Sequence, residues 1–210
     1  MMWNDHHQLE GKHALLSPSQ YHWLYYTPEK LETKFYTQYA DAIGTVLHQL
    51  ASDCIKSRTK VHSKDKHLID IAMYKAGIPK SAYDVDFLLP TFIAFVNDAS
   101  GFRMSSEIIL YYSYYVFGTT DAIVYNERDK ILRIHDLKSG MTPAKMEQLW
   151  VYAALYCLEY KVEPKDITIE LRLYQKGEVL IDNPDGELIS NVMNTIIAHD
   201  RALRLLAERG

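Results

Sequence analysis

An acid and a lysine lie two positions apart in the segment "IHDLKSG", residues 134–140. Side chains alternate between the two faces of a strand, so a strand here places Asp136 and Lys138 on one face. His135 and Leu137 then point to the opposite face. An acid beside a base can form a plain surface ion pair, or it can supply a metal ligand together with a cation for phosphate. The rest of the chain has to distinguish these two interpretations.

Further polar groups of the same kind follow a definite order along the chain. His48 lies one helical turn after Gly44 in "GTVLHQLA", Asp121 lies in "GTTDAIV", and Gln148 and Tyr152 lie one turn apart in "QLWVY". Each of these has a simple explanation when taken alone: a packed helix histidine, an aspartate in a turn, or polar residues on a helix face. Their joint occurrence, each on the expected kind of element, favours a shared site.

The elements that must position these residues follow from periodicity and turn chemistry. Residues 30–56 are predicted to form one long helix that carries His48, and residues 81–101 a helix with a kink or break before Pro90. Downstream we predict strands over 102–113, 114–126 and 130–139, a helix over 142–162 capped by Thr142, a strand over 165–177 and a helix over 186–210. This order indicates an α/β domain, bordering on α+β, with a central mixed sheet of about four strands flanked by helices.

Composition limits the class of protein. Basic residues number 23 and acidic residues 27, and this excess of acid argues against a protein that coats nucleic acid non-specifically. No apolar run approaches the about 20 residues needed to cross a bilayer, so we expect no membrane partner. The start of the chain lacks a secretion signal, and Cys54 and Cys157 are too few for a disulfide framework. We therefore expect a cytoplasmic protein.

The ordered groups resemble the motifs of the PD-(D/E)XK nuclease superfamily, in particular its RecB-like and phage exonuclease branch. The matching pairs are Gly44 with His48, Gly118 with Asp121, Asp136 with Lys138, and Gln148 with Tyr152. The resemblance covers roughly residues 15–175 and is most specific in "DLKSG" followed by "QLWVYAALY". Two departures occur: Thr120 replaces the proline before Asp121, and the four cysteines that hold an iron–sulfur cluster in some relatives are absent. We therefore expect no iron–sulfur cluster.

The resemblance implies a restriction-endonuclease-like core formed as a single domain over 1–210, with a helical part (15–100) and a sheet core (102–210). It implies a Mg²⁺- or Mn²⁺-dependent DNA nuclease, with an exonuclease of phage-type recombination or repair as the expected activity. A structure-specific or nicking endonuclease, or a non-catalytic DNA-binding or assembly module, stays open as an alternative. Hard cations favour oxygen ligands, and Mn²⁺ accepts a histidine. The expected ligands are His48, Asp121, Asp136 and the backbone carbonyl of Leu137.

Supporting roles are expected for several more residues. Lys138 would orient the attacking water or stabilise the transition state, while Gln148 and Tyr152 would hold the DNA backbone or the water network. Glu107 would contact a metal-bound water or a basic neighbour, or be a plain exposed strand acid. The basic stretch would bind DNA phosphates or be a solvated loop, and it comprises Lys56, Arg58, Lys60, Lys64 and Lys66. DNA is the implied partner, the resemblance allows a phage single-strand annealing protein as a second one, and a phage-encoded chain would act in the host cytoplasm.

Overall fold

The computed structural model describes residues 6–9 and 14–208, which form a five-stranded mixed sheet flanked by six α-helices. The helices are α1 (Pro28–Thr37), α2 (Ala40–Lys56), α3 (Lys66–Lys75), α4 (Val85–Gly101), α5 (Glu147–Tyr160) and α6 (Gly186–Ala207). The strands are β1 (Ser105–Ser113), β2 (Val116–Asn126), β3 (Ile131–Lys138), β4 (Thr168–Gln175) and β5 (Glu178–Asp182). Short 3₁₀ helices span His7–Leu9, Pro18–Tyr25, Lys80–Ala82 and Pro164–Asp166. The predicted α/β class is confirmed.

The strands lie in the order β1-β2-β3-β4-β5. Neighbouring strands are antiparallel except β3 and β4, which are parallel and are connected through α5. The fifth strand was not expected, and it forms because Lys176 and Gly177 both adopt positive φ, 54° and 75°. Two consecutive residues of this kind make the tight turn that reverses a strand onto its neighbour.

Two hydrophobic cores lie on the two faces of this sheet. The first core packs the sheet against α2, α3 and α4, and the second packs it against α5 and α6. The alternation expected for β3 is confirmed, because Leu137 belongs to the first core and Ile134 to the second. Asp136 is two residues after Ile134 and therefore lies on the same face of the sheet, the face that packs against α5. It lies at the end of the strand, where the apolar packing stops.

Two helices differ from their predicted form. The helix expected over 30–56 is divided into α1 and α2 at Gln38 and Tyr39, where the Gln38 side chain donates to the Phe35 carbonyl at 2.8 Å and competes with helix continuation. The break expected before Pro90 does not occur, and α4 runs through it. Pro90 is exposed, so the carbonyl that loses its N–H partner there faces water.

The start of α5 was also predicted wrongly. The helix begins at Glu147, and Thr142 is not its cap, because the chain before it is held by the nearly buried side chain of Gln175. The Gln175 amide donates to the carbonyls of Gly140 and Thr142, both at 2.8 Å, and accepts the N–H of Ala144 at 3.0 Å. These bonds satisfy the backbone without a helical turn.

Candidate active site

A histidine and two acids from three elements converge in one open cleft of about 670 Å³. They are His48 on α2, Glu107 on β1 and Asp121 on β2, and their ligand atoms all lie within 4.8 Å of one another. His48 Nδ1 lies 2.9 Å from one Asp121 oxygen, and the other Asp121 oxygen accepts the backbone N–H of Leu137 at 2.7 Å. Both carboxylate oxygens of Asp121 are thus fixed in place.

Glu107 occupies an unusual backbone position for a strand residue. Its φ is +55°, in the left-handed region that side chains other than glycine rarely adopt. Along β1 the side-chain alternation reverses at this residue: the Ser106 hydroxyl bonds to Ser52 of α2 at 2.9 Å, whereas Ile108 packs in the second core. Strained residues of this kind cluster at functional sites, and here the strain directs a carboxylate into the cleft beside Asp121.

Asp136 lies beside this group and is almost completely buried. Lys138 donates to its Oδ1 at 3.2 Å, and Oδ2 lies 2.9 Å from the same ammonium nitrogen but receives no hydrogen bond. Burial and, second, the negative charge of Asp121 raise the pKa of Asp136. Asp136 is thus a nearly buried acid that pairs with one lysine and has a second carboxylate beside it, and an environment of this kind fits a bound metal ion.

The charge balance of the cleft also favours a bound cation. Burial raises the pKa of Glu107, and the nearby charge of Asp121 raises it further. Burial alone would lower the pKa of His48, but the hydrogen bond and charge of Asp121, with the charge of Asp136, reverse the direction and raise it. The site therefore holds more negative charge than its own residues neutralise, and a divalent cation would relieve the imbalance.

A chain of hydrogen bonds connects the lysine to α5 and back to the sheet. Lys138 donates to Gln148 Oε1 at 2.8 Å, and Gln148 Nε2 donates to the Tyr152 hydroxyl at 3.3 Å. Tyr152 donates in turn to the carbonyl of Thr119 at 2.7 Å. The two polar helix residues predicted from their spacing therefore hold the ammonium group of Lys138 in the direction of the cleft.

Two glycines of the sequence pattern leave room for neighbouring side chains. A Cβ added at Gly118 would lie 2.9 Å from a ring carbon of Tyr152, which is closer than packed atoms approach. A Cβ added at Gly44 would lie 3.3 Å from Ser139 Oγ, which is a tight but milder contact. Gly118 therefore allows α5 to place Tyr152 against β2, and Gly44 lets α2 approach the end of β3.

Most of the predicted site residues lie together in the structure, whereas those of the basic stretch lie in different surroundings. His48, Glu107, Asp121 and Lys138 line one cleft, and Glu107, interpreted only weakly from sequence, completes the three-residue group. Asp136, Gln148 and Tyr152 adjoin the cleft through hydrogen bonds that lead to Lys138. The Leu137 N–H binds Asp121, and the role of its carbonyl as a ligand stays a prediction.

The basic stretch does not act as one unit. Lys66 forms an ion pair with Asp86, and Lys60 and Lys64 are exposed without an ion pair among the described residues. Lys56 and Arg58 instead line a separate pocket.

An α/β protein with a histidine, carboxylates and a lysine in one cleft is the class that the fold and site define. The chain belongs to the family described as "Protein of unknown function (DUF2800)", whose model matches residues 13–171. The matched region contains every residue of the candidate site. Neither the search of curated proteins nor the search of solved structures found a match. Within the described part of the chain, no helix combines the length and apolarity needed to cross a bilayer.

Proposed function

We propose that this chain is a divalent-metal-dependent nuclease of the PD-(D/E)XK superfamily that hydrolyses phosphodiester bonds in DNA. The observation that carries the proposal is the convergence of His48, Glu107 and Asp121, with ligand atoms within 4.8 Å of one another, beside the buried pair of Asp136 and Lys138. A site built only for stability would gain nothing from placing a third acid beside two carboxylates that share one lysine and one histidine. The order of three antiparallel strands, a helix and a parallel strand follows the element order predicted from the sequence and supports the proposal.

The donor set is suited to a hard cation. His48, Glu107 and Asp121 would hold Mg²⁺ or Mn²⁺, with Asp136 and the Leu137 carbonyl as further ligands, because such ions prefer oxygen donors and Mn²⁺ tolerates imidazole. When bound, the ion supplies an activated water and neutralises developing negative charge.

The residues of the chain itself position the substrate phosphate. Lys138 presents a cation to the phosphate oxygen that gains charge in the transition state, and a fixed charge of this kind needs no reorganisation during the reaction. Gln148 holds Lys138 on the cleft side, and Tyr152 holds Gln148 through its own bond to the sheet. These three side chains thereby orient one charge, and loss of any of them should reduce the cleavage rate more than metal affinity.

The proposed mode is that of an exonuclease in phage-type recombination or repair, acting in the cytoplasm on DNA with an annealing protein as its partner. A nicking or structure-specific endonuclease would use the same residues, and it would cut covalently closed circular DNA, which an exonuclease leaves intact. A non-catalytic DNA-binding module would bind both forms and cut neither. The intact set of histidine, acids and lysine supports a catalytic protein.

End-labelled linear DNA and closed circular DNA, each incubated with Mg²⁺, Mn²⁺ or EDTA, test the proposal. We expect linear DNA to be degraded with either metal and to stay intact in EDTA. Asp136→Asn should abolish cleavage, whereas Glu187→Gln, which removes one charge from an exposed acid at the start of α6, should cleave like the wild type. Absence of cleavage by the folded wild-type protein with both metals, on both DNA forms, would refute the proposal.

A further inference from the structure

A second, smaller pocket of about 300 Å³ lies where the ends of α2 and α4 meet the beginning of β1. Three cations line it: Lys56 at the end of α2, Arg58 just after α2, and Arg103 just after α4. Ser100 and Ser105 also line it. The sequence alone indicated Lys56 and Arg58 as part of a basic stretch. Arg103 lies 45 residues after Arg58, and only the fold brings it next to them.

Three cations and one hydroxyl of this pocket lack a hydrogen-bond or ion-pair partner within the described structure, whereas the Ser106 hydroxyl, which also lines it, bonds to Ser52. None of its three cations forms an ion pair with a described residue, although the exposed lysines Lys66 and Lys80 do so elsewhere. The Ser100 hydroxyl oxygen is buried and has no hydrogen-bond partner. Cations near helix ends stabilise the helices, but that role does not explain a buried hydroxyl left unpaired beside them. A ligand that accepts hydrogen bonds and carries negative charge would satisfy all four groups.

The pocket is connected to the candidate active site along a single face of α2. His48, Ser52 and Lys56 follow one another at intervals of one turn, and the buried bond from Ser52 to Ser106 joins α2 to β1 between the two sites. At 1.5 Å per residue, His48 and Lys56 are about 12 Å apart along the helix. Phosphates of one strand of B-form DNA advance by about 3.4 Å along the duplex axis and lie farther apart than that in space, so this separation corresponds to at most about three nucleotides.

We propose that this pocket binds a phosphate group of the DNA substrate, two or three nucleotides from the bond that is cut. The proposal rests on the proposed nuclease function, since it assigns the pocket to the same bound strand. Lys56, Arg58 and Arg103 supply the charge, and the Ser100 hydroxyl donates to a phosphate oxygen. The phosphate is either a terminal monoester or an internal diester, and both present the same oxygens to the pocket.

Binding of a 12-nucleotide single-stranded DNA and of a dinucleotide, both measured in EDTA, tests whether one strand contacts the pocket and the active site together. Arg103→Ala should weaken binding of the longer DNA about fivefold at 0.1 M salt and lower the slope of log K against log[salt] by roughly 0.7. The dinucleotide can occupy only one of the two sites at a time, so its binding should stay far weaker than that of the longer DNA in the wild type and in the variant. The matched control is Arg128→Ala, an exposed arginine in the turn between β2 and β3. Equal binding by the Arg103 and Arg128 variants would overturn the proposal.

The Ser100→Ala variant supplies a readout that a purely structural role would not change. Removing a buried hydroxyl that lacks a partner should keep or raise the melting temperature, whereas loss of a phosphate contact should weaken binding of the longer DNA. Weaker binding at an undiminished melting temperature supports the pocket, and unchanged binding contradicts it. Substrates with a 5′-phosphate, a 3′-phosphate or neither identify the source: an Arg103 effect confined to one phosphorylated form indicates the terminal group, and an effect on all three indicates an internal diester.

Hydrolysis of bis(p-nitrophenyl) phosphate with Mn²⁺ distinguishes failure of this proposal from failure of the proposed function. This small diester reaches the active site without contacting the pocket, so Arg103→Ala should leave its hydrolysis unchanged. Hydrolysis by the wild type together with equal DNA binding by the Arg103 and Arg128 variants would refute the pocket alone. A wild type without hydrolysis of any substrate, whose DNA binding still depends on Arg103, would refute the nuclease and leave the phosphate pocket standing.

Discussion

Replacement of Lys138 by alanine tests whether this lysine acts on the substrate or only pairs with Asp136. The Lys138 side chain is 28% exposed and pairs with the Asp136 side chain, which is 4% exposed, with 2.9 Å between Nζ and Oδ2. It also donates to Gln148 at 2.8 Å. The alanine variant removes both contacts and leaves the buried acid of Asp136 without its cation.

The effect on stability follows from the burial of the two partners. Removing one partner of a fully buried ion pair costs about 3–5 kcal/mol, and an exposed pair is worth about 0–1 kcal/mol. Because Lys138 is partly exposed, water compensates some of the loss, and we expect Lys138→Ala to lower the free energy of unfolding in EDTA by about 1–3 kcal/mol. Lys80→Ala breaks the exposed pair with Asp70 and should cost at most about 1 kcal/mol.

Catalysis should respond more strongly than stability. Removal of one preorganised charge from a transition state typically costs about 10²–10³-fold in the chemical step, or about 2.7–4 kcal/mol. Metal binding should persist, because the carboxylates and His48 remain. Addition of Mn²⁺ at 100 times its dissociation constant should stabilise the wild type by about 2.7 kcal/mol, and Lys138→Ala should gain at least as much.

The assay compares single-turnover cleavage of end-labelled DNA with the Mn²⁺-dependent shift in chemical denaturation, for the wild type, Lys138→Ala and Lys80→Ala. Cleavage by Lys138→Ala within a few-fold of the wild type would show that the lysine is only an ion-pair partner of Asp136. Loss of the Mn²⁺ shift would show instead that the lysine organises the metal site, and that its assigned role beside the phosphate is wrong.

Three further changes test other parts of the structure. Glu107→Gly should be about 1 kcal/mol more stable than Glu107→Gln in denaturant titrations, since glycine accepts the left-handed backbone, while both lose Mn²⁺ affinity by calorimetry. Gly118→Ala should displace the Tyr152 ring and reduce single-turnover cleavage, with Mn²⁺ affinity unchanged. Normal cleavage by this variant would show that Tyr152 has no role in the reaction. The Ser113 hydroxyl, by donating to Asp200, lowers the pKa of that acid, so the folded protein binds its proton less readily than the unfolded chain does. This contribution to stability is present at neutral pH and is lost as pH falls below about 4, so the deficit of Asp200→Asn relative to the wild type in denaturant titrations should shrink between pH 5 and pH 3.

The sequence predicted the elements whose signals are local. The strands β1, β2 and β3 fall within the predicted ranges because β-branched and aromatic residues dominate them. The start of α5 was predicted too early because Gln175, far along the chain, holds the segment from Gly140 to Ala144 out of helical geometry. A cap and a proline are local signals, whereas that contact exists only after β4 pairs with β3.

The candidate site shows the same division between local and long-range causes. The spacing of Asp136 and Lys138 gave their shared face correctly, because β3 keeps regular alternation to its end. Arg103 could not be assigned to a basic pocket, since α4 brings it to Lys56 only in three dimensions. Lys66 belongs to a basic stretch that is typical of DNA-binding segments, yet in the fold its ammonium group forms an ion pair with Asp86.

The role of Glu107 was difficult to predict because it depends on a point where the strand's side chains change face. Regular side-chain alternation does not indicate where such a change occurs. Gly118 of β2 faces Tyr152 and the second core, whereas Ala122 of the same strand belongs to the first core, although regular alternation would give both the same face. The reversal falls at Asp121, and β1 reverses opposite it, at the left-handed Glu107. A regular sheet would separate residues of α2 from those of α5 on its two faces. Because two neighbouring strands change face at the same level, one cleft receives His48 from α2 and the cation held by α5, and the strain at Glu107 is the structural condition for that arrangement.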